Sequence, residues 1–275
     1  MFFQPQPRTT RVGSAYGMLV LTFYTAVHQV RKSHKNAVIG LALNIVQILI
    51  FIGIMYFIMY IMGRTGGRIR GDQLVYIVSG IAMFITHVKT MSAVTGADGP
   101  TSAMMKHSPM NTIVAIASAA LSTLYLQVLS ICIILYGYHC IFTPITIDQP
   151  AGTVGMFLLS WISGIAIGLI ARSITPWSPT FFGFVATVYK RANVIASGKM
   201  LVANATPTAI LQYFDWNPLF HIIDQGRGFI FLNYNPHNST ISYPVKMTII
   251  FFIIGLMCEY YTRKYQSASW GVGKR

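Results

Sequence analysis

Acidic side chains are scarce in this chain of 275 residues, which carries 6 Asp and Glu against 20 Lys and Arg. Such scarcity argues against catalysis by paired carboxylates and against a proton relay built on buried acids. The excess of cations gives a formal net charge of +14. In a chain this apolar, the excess is typical of basic cytoplasmic ends, so we expect no nucleic acid among the partners.

Charged residues of either sign are also few. They make up 9% of the chain, against about 25% in a typical soluble protein, while hydrophobic residues reach 54%. A monomer with so few charges cannot cover itself with a solvated layer, which excludes most soluble enzymes and disordered chains. The composition therefore predicts an all-α, polytopic membrane protein, with residues 1–275 forming a single transmembrane domain.

Motifs for metal, redox and hydrolytic chemistry are missing. Cys132, Cys140 and Cys258 form no CxxC pair, so neither a disulfide framework nor a zinc site is expected. The sequence has no Gly-x-Ser-x-Gly string and no Walker A string. We therefore expect no enzyme, no catalytic residue and no cofactor, and any ATP hydrolysis must come from a separate subunit.

Long apolar runs divide the chain into spans. The leader, 1–36, contains an apolar run at 15–27 that is too short to span and leads into a basic cluster, which is typical of a helix lying in the membrane interface. Five spans are expected within 37–203 and a sixth before a cytoplasmic tail at 262–275. The predicted spans cover 37–62, 74–91, 113–136, 154–170, 181–203 and 245–261.

Residues 204–244, between the last two spans, alternate short apolar runs with prolines. The runs at 210–214 and 219–232 are too short or too polar to span. They predict short re-entrant helices that enter the membrane from one side. Such backbone is tolerated only where protein or a water-filled cavity surrounds it.

Basic residues crowd both ends of the chain, which places both termini in the cytoplasm by the positive-inside rule. The loop around Asp148 carries no Lys or Arg and should face outward. The loop with Arg64, Arg68 and Arg70 also faces outward in this arrangement, against the rule. A five-span alternative stays open in which 181–203 does not cross.

The fifth stretch carries ionisable residues near its middle. Such groups inside a span are costly and by default indicate function, commonly beside a hydrated pathway. We expect Lys190, Arg191 and the neighbouring Tyr189 to line a translocation path, where the cations attract an anionic glycan. The alternative is a span that begins later, so that both cations reach back to the cytoplasmic interface.

The string Trp-Asn-Pro-Leu-Phe-His-Ile-Ile-Asp at 216–224, followed by Arg227, resembles the segment before the last span in type-2 ABC exporter permeases. The similarity is to the subfamily that exports capsular polysaccharide and similar lipid-linked glycans. Ser197-Gly198 and Pro207 resemble that family's Ser-Gly element and the proline that opens its outer gate helices. Met-Lys-His-Ser-Pro at 105–109 resembles its cytoplasmic segment that touches the ATPase.

This resemblance implies site residues and partners. The outer gate would comprise Trp216, Asn217, Pro218, Asp224 and Arg227. The contact with the ATPase would comprise Asp98, Lys106, His107 and Pro109. The resemblance also implies a homodimer of permeases in the bacterial inner membrane, surrounded by membrane lipid, with an ATP-binding partner subunit and a polysaccharide substrate.

Other interpretations of the same residues stay open. An Asn-Pro pair starts turns, and a Trp anchors at a membrane interface. Asp224 and Arg227 are three apart and would share a helix face, where they neutralise each other, with His221 as a polar cap. Alternative functions are export of a teichoic-acid-like polymer, a lipid or a small toxic compound by the same fold, or a membrane-embedded enzyme or assembly factor without transport.

Overall fold

The computed structural model describes residues 11–32, 37–61, 72–97 and 111–265. This part of the chain is helical and contains no strand, which confirms the all-α class. A short 3-10 turn at Ala203–Ala205 precedes the seventh helix. The described helices are α1 (Arg11–Lys32), α2 (Ala37–Ile61), α3 (Gln73–Thr95), α4 (Thr112–Ile141), α5 (Pro150–Ile174), α6 (Pro179–Ala196), α7 (Thr208–Leu211), α8 (Pro218–Ile230) and α9 (Ser242–Tyr265).

Five of these helices, α2, α3, α4, α5 and α9, are long and apolar enough to cross a membrane. They overlap the predicted spans one to four and six. Most of them extend past the predicted limits, and α3 continues through Lys89 to Thr95. Hydropathy falls where charged residues begin, whereas helical hydrogen bonding continues until the backbone turns. The chain is therefore a membrane-type helical bundle.

The predicted fifth stretch differs most from the structure. Its helix, α6, is not among the five, and it ends at Ala196 rather than at 203. Gly198 adopts a positive φ of 64°, the left-handed conformation that commonly terminates a helix just after its C-cap. The residues that follow continue as turns, so the apolar run and the helix have different ends.

At the centre of the bundle, α3 packs against α5, and α5 packs against α9. In the most apolar window of α3, 83% of residues are buried, against 28% in α2, so α3 is the core helix and α2 is peripheral. Glycines allow the close approach of α5. A Cβ on Gly164 would lie 2.6 Å from the carbonyl oxygen of His87, and one on Gly255 would lie 2.8 Å from Leu169 Cβ.

The N-terminal end of α3 lies beside the C-terminal end of α4. Asp72 caps α3 by accepting from the Leu74 amide (2.9 Å) and also accepts from the hydroxyls of Tyr138 and Thr143. Burial alone would raise the pKa of Asp72, but these hydrogen bonds together leave it below the ordinary value. The carboxylate therefore stays ionised and fastens two helices together.

The opposite end of the bundle is joined by Arg172, near the C-terminus of α5. Its side chain forms an ion pair with Glu259 on α9 (3.3 Å) and donates to the Ala97 carbonyl just after α3. Trp177 Nε1 donates to Thr262 Oγ1 (3.1 Å) close by. The C-terminal ends of α3, α5 and α9 therefore lie together.

The first helix, α1, is longer than the run predicted at 15–27. It packs on α4, where Gln29 Nε2 donates to Ser118 Oγ (3.1 Å). Large apolar side chains such as Tyr16 and Leu19 are exposed along α1. The helix thus combines a polar link to the bundle with an exposed apolar surface.

Candidate functional site

Residues 197–241, here called the connecting segment, link α6 to α9 and contain all five predicted gate residues. Asn217 lies before α8, and its side chain accepts from the Leu219 amide (3.0 Å). Pro218 is the first residue of α8, a position that requires no amide hydrogen. Asn217 and Pro218 therefore define the start of α8 as a capped helix rather than a simple turn.

The start of α8 is fastened to the end of α6. Asn217 Nδ2 donates to Asn193 Oδ1 and to the Ala196 carbonyl, both at 2.9 Å. Asn193 is the buried residue of α6, whose other described side chains are half-buried or exposed. This amide pair therefore fixes the connecting segment to a helix that otherwise packs loosely.

The end of α8 reaches the beginning of α5. The Gln149 amide donates to the Phe229 carbonyl (2.8 Å), and the Asp148 amide donates to the Ile230 carbonyl (3.3 Å). The Phe229 ring also lies against Gly152, where a Cβ would be 2.5 Å from the ring. Consequently, α8 runs from the end of α6 to the N-terminal end of α5.

Arg227, on α8, is 1% exposed and lies against α3. Its guanidinium carbon is 3.7 Å from the centre of the Tyr76 ring. Nη1 donates to the Leu201 carbonyl (3.0 Å), and Nη2 donates to the Lys199 carbonyl. Within the described ranges, Arg227 Nε has no hydrogen-bond partner. The arginine thus holds the turn after α6 against α3.

A glycine makes room for that arginine. A Cβ on Gly80 of α3 would lie 2.5 Å from Arg227 Nη2 and 3.3 Å from Lys199 Cβ. Any larger residue at this position would displace the guanidinium or the turn. The site therefore depends on an α3 residue that belongs to none of the sequence motifs.

Lys199 is a second buried cation, 2% exposed. Its Nζ donates to the Val194 carbonyl (2.6 Å) and lies 3.5 Å from the centre of the Phe84 ring and 5.0 Å from that of Phe51. Phe84 is near the middle of α3. A lysine at this depth is costly, and the aromatic faces compensate for lost hydration.

Asp224 and Arg227 do not form an ion pair, although both lie on α8. Instead, Asp224 accepts from the hydroxyls of Tyr234 and Ser239, the latter at 2.6 Å. Burial and the Asp224 charge raise the pKa of Tyr234, so its hydroxyl keeps the proton that it donates. Among the residues described, the interpretation of a self-neutralising pair is therefore wrong: each charge has partners elsewhere.

His221 connects α8 to the chain on both sides of it. The Thr240 amide donates to Nδ1 (3.2 Å), so the proton of the neutral ring is on Nε2, which donates to the Asp215 carbonyl (2.8 Å). The Asp215 carboxylate lies 3.2 Å from the same nitrogen. No cluster of metal-ligand side chains is found in the described chain. The ring acts here as a structural bridge.

Trp216 is the exposed member of the predicted gate, at 65%. Its Nε1 donates to the Tyr213 carbonyl (2.6 Å), and its own carbonyl accepts from the Tyr243 hydroxyl (2.7 Å) at the start of α9. The backbone of Trp216 is therefore held while its ring faces outward.

The predicted path residues on α6 do not share one surface. The Tyr189 hydroxyl lies 3.0 Å from His87 Nε2 on α3, whereas Arg191 is exposed and Lys190 half-buried. Ser163 Oγ donates to the Ser160 carbonyl and so accepts from His87 Nδ1 (2.8 Å), which leaves Nε2 to accept from Tyr189. Tyr189 therefore anchors α6 to the bundle.

One predicted group is not described by the structure, and two residues of the site were not predicted. The predicted contact with an ATPase lies outside the described residues; it comprises Asp98, Lys106, His107 and Pro109. Lys199 and Gly80 were not predicted as site residues. The only sequence signal for Lys199 was a charge inside an apolar stretch, and Gly80 gave none.

Comparisons with protein-family models and with curated proteins find no match for this chain. The likeness to exporter permeases therefore rests on the residues at 216–227 and on the order of apolar segments.

Proposed function

We propose that this chain is the membrane-spanning permease subunit of an ATP-driven exporter, and that it moves a polysaccharide across the bacterial inner membrane. The observation that carries the proposal is the way in which the connecting segment is folded onto the bundle. Its Trp-Asn-Pro-Leu string begins a short helix, α8. Buried amides hold this helix to α6, Arg227 holds it to the Tyr76 ring of α3, and backbone hydrogen bonds hold it to the start of α5. An element of this kind, built from backbone turns and buried cations, suits a gate at the end of a transport pathway.

The path of the chain supports a fifth crossing by α6. The chain leaves α5 at the end marked by Arg172, and α8 reaches the opposite end of α5, at Asp148. It then returns along α9, whose Glu259 contacts Arg172. A helix of 18 residues is about 27 Å long, close to the ~30 Å hydrocarbon thickness. Six crossings with both termini in the cytoplasm fit this path.

The exposed surface of α6 supports a dimer of permeases. Its one buried residue is Asn193, and polar or charged side chains such as Thr187 and Arg191 lie on an otherwise apolar helix. A second copy would cover part of this surface and leave Lys190 and Arg191 beside a hydrated path. Six helices alone enclose little space, so a wide glycan path requires two copies.

Energy would come from a partner, since the sequence contains no Walker A string. Cytoplasmic residues Asp98, Lys106, His107 and Pro109 are proposed to contact that ATP-binding subunit. The outer gate is proposed to comprise Trp216, Asn217, Pro218, Asp224 and Arg227.

Purification of the tagged full-length chain from its own host tests the proposal. We expect a nucleotide-binding subunit to copurify and to hydrolyse ATP, and deletion of the gene to remove a glycan from the cell surface while it accumulates inside. Chemical analysis of the accumulated material separates a polysaccharide from a teichoic-acid-like polymer or a lipid. Absence of any nucleotide-binding partner, with surface glycan unchanged after deletion, would overturn the proposal.

Charge reversal on α6 tests the path. We expect Arg191→Glu to abolish export while the protein still inserts and binds its ATPase, because the variant repels an anionic glycan. Lys190→Gln, which only removes a charge, should be milder. Normal surface glycan from Arg191→Glu at wild-type protein levels would rule out a path at this residue.

A further inference from the structure

A cleft of about 390 Å³ with a mixed polar and apolar lining lies between α2, α3 and α4, away from the connecting segment. Its volume is within the range of small-ligand sites, about 300–1,000 Å³. We call it the amide cleft. Its polar lining consists of Asn44, Gln47, Lys89, Ser92, Thr123 and Gln127.

Asn44 is the centre of the cleft. Its Oδ1 accepts from Lys89 Nζ and from Gln127 Nε2 (3.3 Å), while its Nδ2 donates to Ser130 Oγ (2.6 Å). Asn44 is therefore occupied as both donor and acceptor. It holds Lys89 and Gln127 in place and has little capacity left for a ligand.

Lys89 has capacity to spare. An ammonium carries three hydrogens, and in the described part of the chain one hydrogen bond is found, to Asn44. No Asp or Glu among the described residues lies within 4.0 Å of its Nζ, since the ion pairs found there involve Arg172 and His221. A half-buried cation with no acidic partner favours an anion in the cleft.

Gln127 supplies the second, independent observation. The residue is 1% exposed, and its Oε1 has no hydrogen-bond partner among the described groups. A buried acceptor without a donor destabilises the fold, so a ligand that supplies the donor is favoured. A ligand of the cleft must therefore supply two things: a negative charge for Lys89 and a hydrogen-bond donor for Gln127 Oε1.

The position of the cleft points to lipid. Lys89 lies six residues before the end of α3, about 9 Å at 1.5 Å per residue, and Asn44 lies seven residues after the start of α2, about 10 Å. This depth fits the boundary of headgroups and acyl chains. Leu43, which lines the cleft, and Val46 and Ile50, further along α2, are exposed, and acyl chains would lie on them.

We propose that the amide cleft binds the headgroup of an anionic phospholipid that carries a hydroxyl group beside its phosphodiester. The phosphate accepts from Lys89 Nζ, and the headgroup hydroxyl donates to Gln127 Oε1. Water could donate a hydrogen bond to Gln127, but it would not neutralise the charge of Lys89. A simple phosphodiester would neutralise Lys89, but it has no hydroxyl to donate to Gln127. Phosphatidylglycerol meets both requirements. This site does not depend on the proposed export function.

The full-length protein in nanodiscs tests the site, with bound lipid counted by native mass spectrometry. The probes are phosphatidylglycerol, phosphatidylethanol, which has the same charge but no hydroxyl, and zwitterionic phosphatidylcholine. We expect retention in that order. Lys89→Gln should lower phosphatidylglycerol retention by about tenfold, whereas Lys246→Gln, at an exposed lysine on α9, should not change it.

The glutamine is tested by the difference between two lipids. Gln127→Leu should abolish the preference for phosphatidylglycerol over phosphatidylethanol while both still bind. If Lys89→Gln fails to fold, Lys89→Arg and Gln127→Leu carry the test, because Arg keeps the charge. Unchanged retention in Lys89→Gln, an unchanged lipid preference in Gln127→Leu, or displacement of the lipid by millimolar inorganic phosphate would overturn the proposal.

Discussion

Two lysines have different environments at α3: Lys199 packs against the middle of the helix, and Lys89 belongs to its C-terminal half. Lys199 is closed in by two phenylalanine rings and a backbone carbonyl, whereas Lys89 lies half-buried in a cleft lined by amides and hydroxyls. The first cation is satisfied by the protein itself. The second is left with unused hydrogen-bonding capacity. The difference separates a cation that holds the fold from one that is placed for a ligand.

The two environments also depend on different parts of the chain. The Lys199 site exists only when the connecting segment is folded on α3, with Arg227 and Gly80 in contact. The amide cleft is built from three helices that are long and apolar enough to span on their own account. Substitutions at the first site should therefore change stability, and those at the second should change ligand retention.

The largest effect on stability is expected from Arg227→Met. This variant keeps the apolar length of the side chain but leaves the Lys199 carbonyl without its donor, and the Leu201 carbonyl keeps only the Tyr76 hydroxyl, at a cost of about 3 kcal/mol. Thermal unfolding in detergent measures it. Arg191→Met, at an exposed arginine, is the matched control and should change little. Equal stability of both variants would show that Arg227 does not hold the segment.

Gly198→Ala should have the next largest effect, about 1–2 kcal/mol. The φ of 64° is unfavourable for any residue with a Cβ, and the new methyl group would meet the Phe220 ring. Gly183→Ala, within α6 and with open space around it, should be neutral or stabilising. A stability loss that is the same at both positions would contradict the left-handed turn as the end of α6.

A smaller loss, about 1 kcal/mol, is expected from Tyr189→Phe, because His87 Nε2 would lose its donor. Tyr260→Phe, at an exposed tyrosine on α9, serves as the control. Hydrogen–deuterium exchange should also increase in α6 in the first variant alone. Unchanged exchange in α6 would mean that this hydrogen bond does not anchor the helix.

Lys89→Gln should have the smallest effect on stability, below about 0.5 kcal/mol, because a neutral amide can still donate to Asn44. The loss of stability in Lys89→Gln should therefore be much smaller than the loss in Arg227→Met. A large loss of stability here, comparable to that of Arg227→Met, would assign Lys89 to the fold rather than to a ligand.

The sequence predicted the five long helices because each is a long apolar run, a local property. It did not predict the end of α6, because the apolar run continues past Gly198, whose left-handed conformation ends the helix and leaves no trace in hydropathy. Nor did the sequence indicate which aromatic rings would cover Lys199, because Phe84 and Phe51 are more than a hundred residues away.

The contacts of the residues assigned to the proposed gate followed only in part from the sequence. Helical spacing placed Asp224 and Arg227 on one helix, as the structure has them, but tertiary partners replaced the expected ion pair. Tyr234 and Ser239 hold the acid, and Tyr76 with two carbonyls holds the base. Local periodicity indicates which residues share a helix, whereas their bonding partners depend on segments that fold back from elsewhere.

The central claim is that α6 crosses the membrane. Labelling of single cysteines from outside intact cells tests it most directly. In a chain whose three native cysteines are replaced by serine, Asp148→Cys should be labelled, and Ala268→Cys should be labelled only after the cells are permeabilised. Those results match six crossings with a cytoplasmic tail. Labelling of both positions in intact cells would contradict the account, because α6 would then not cross the membrane.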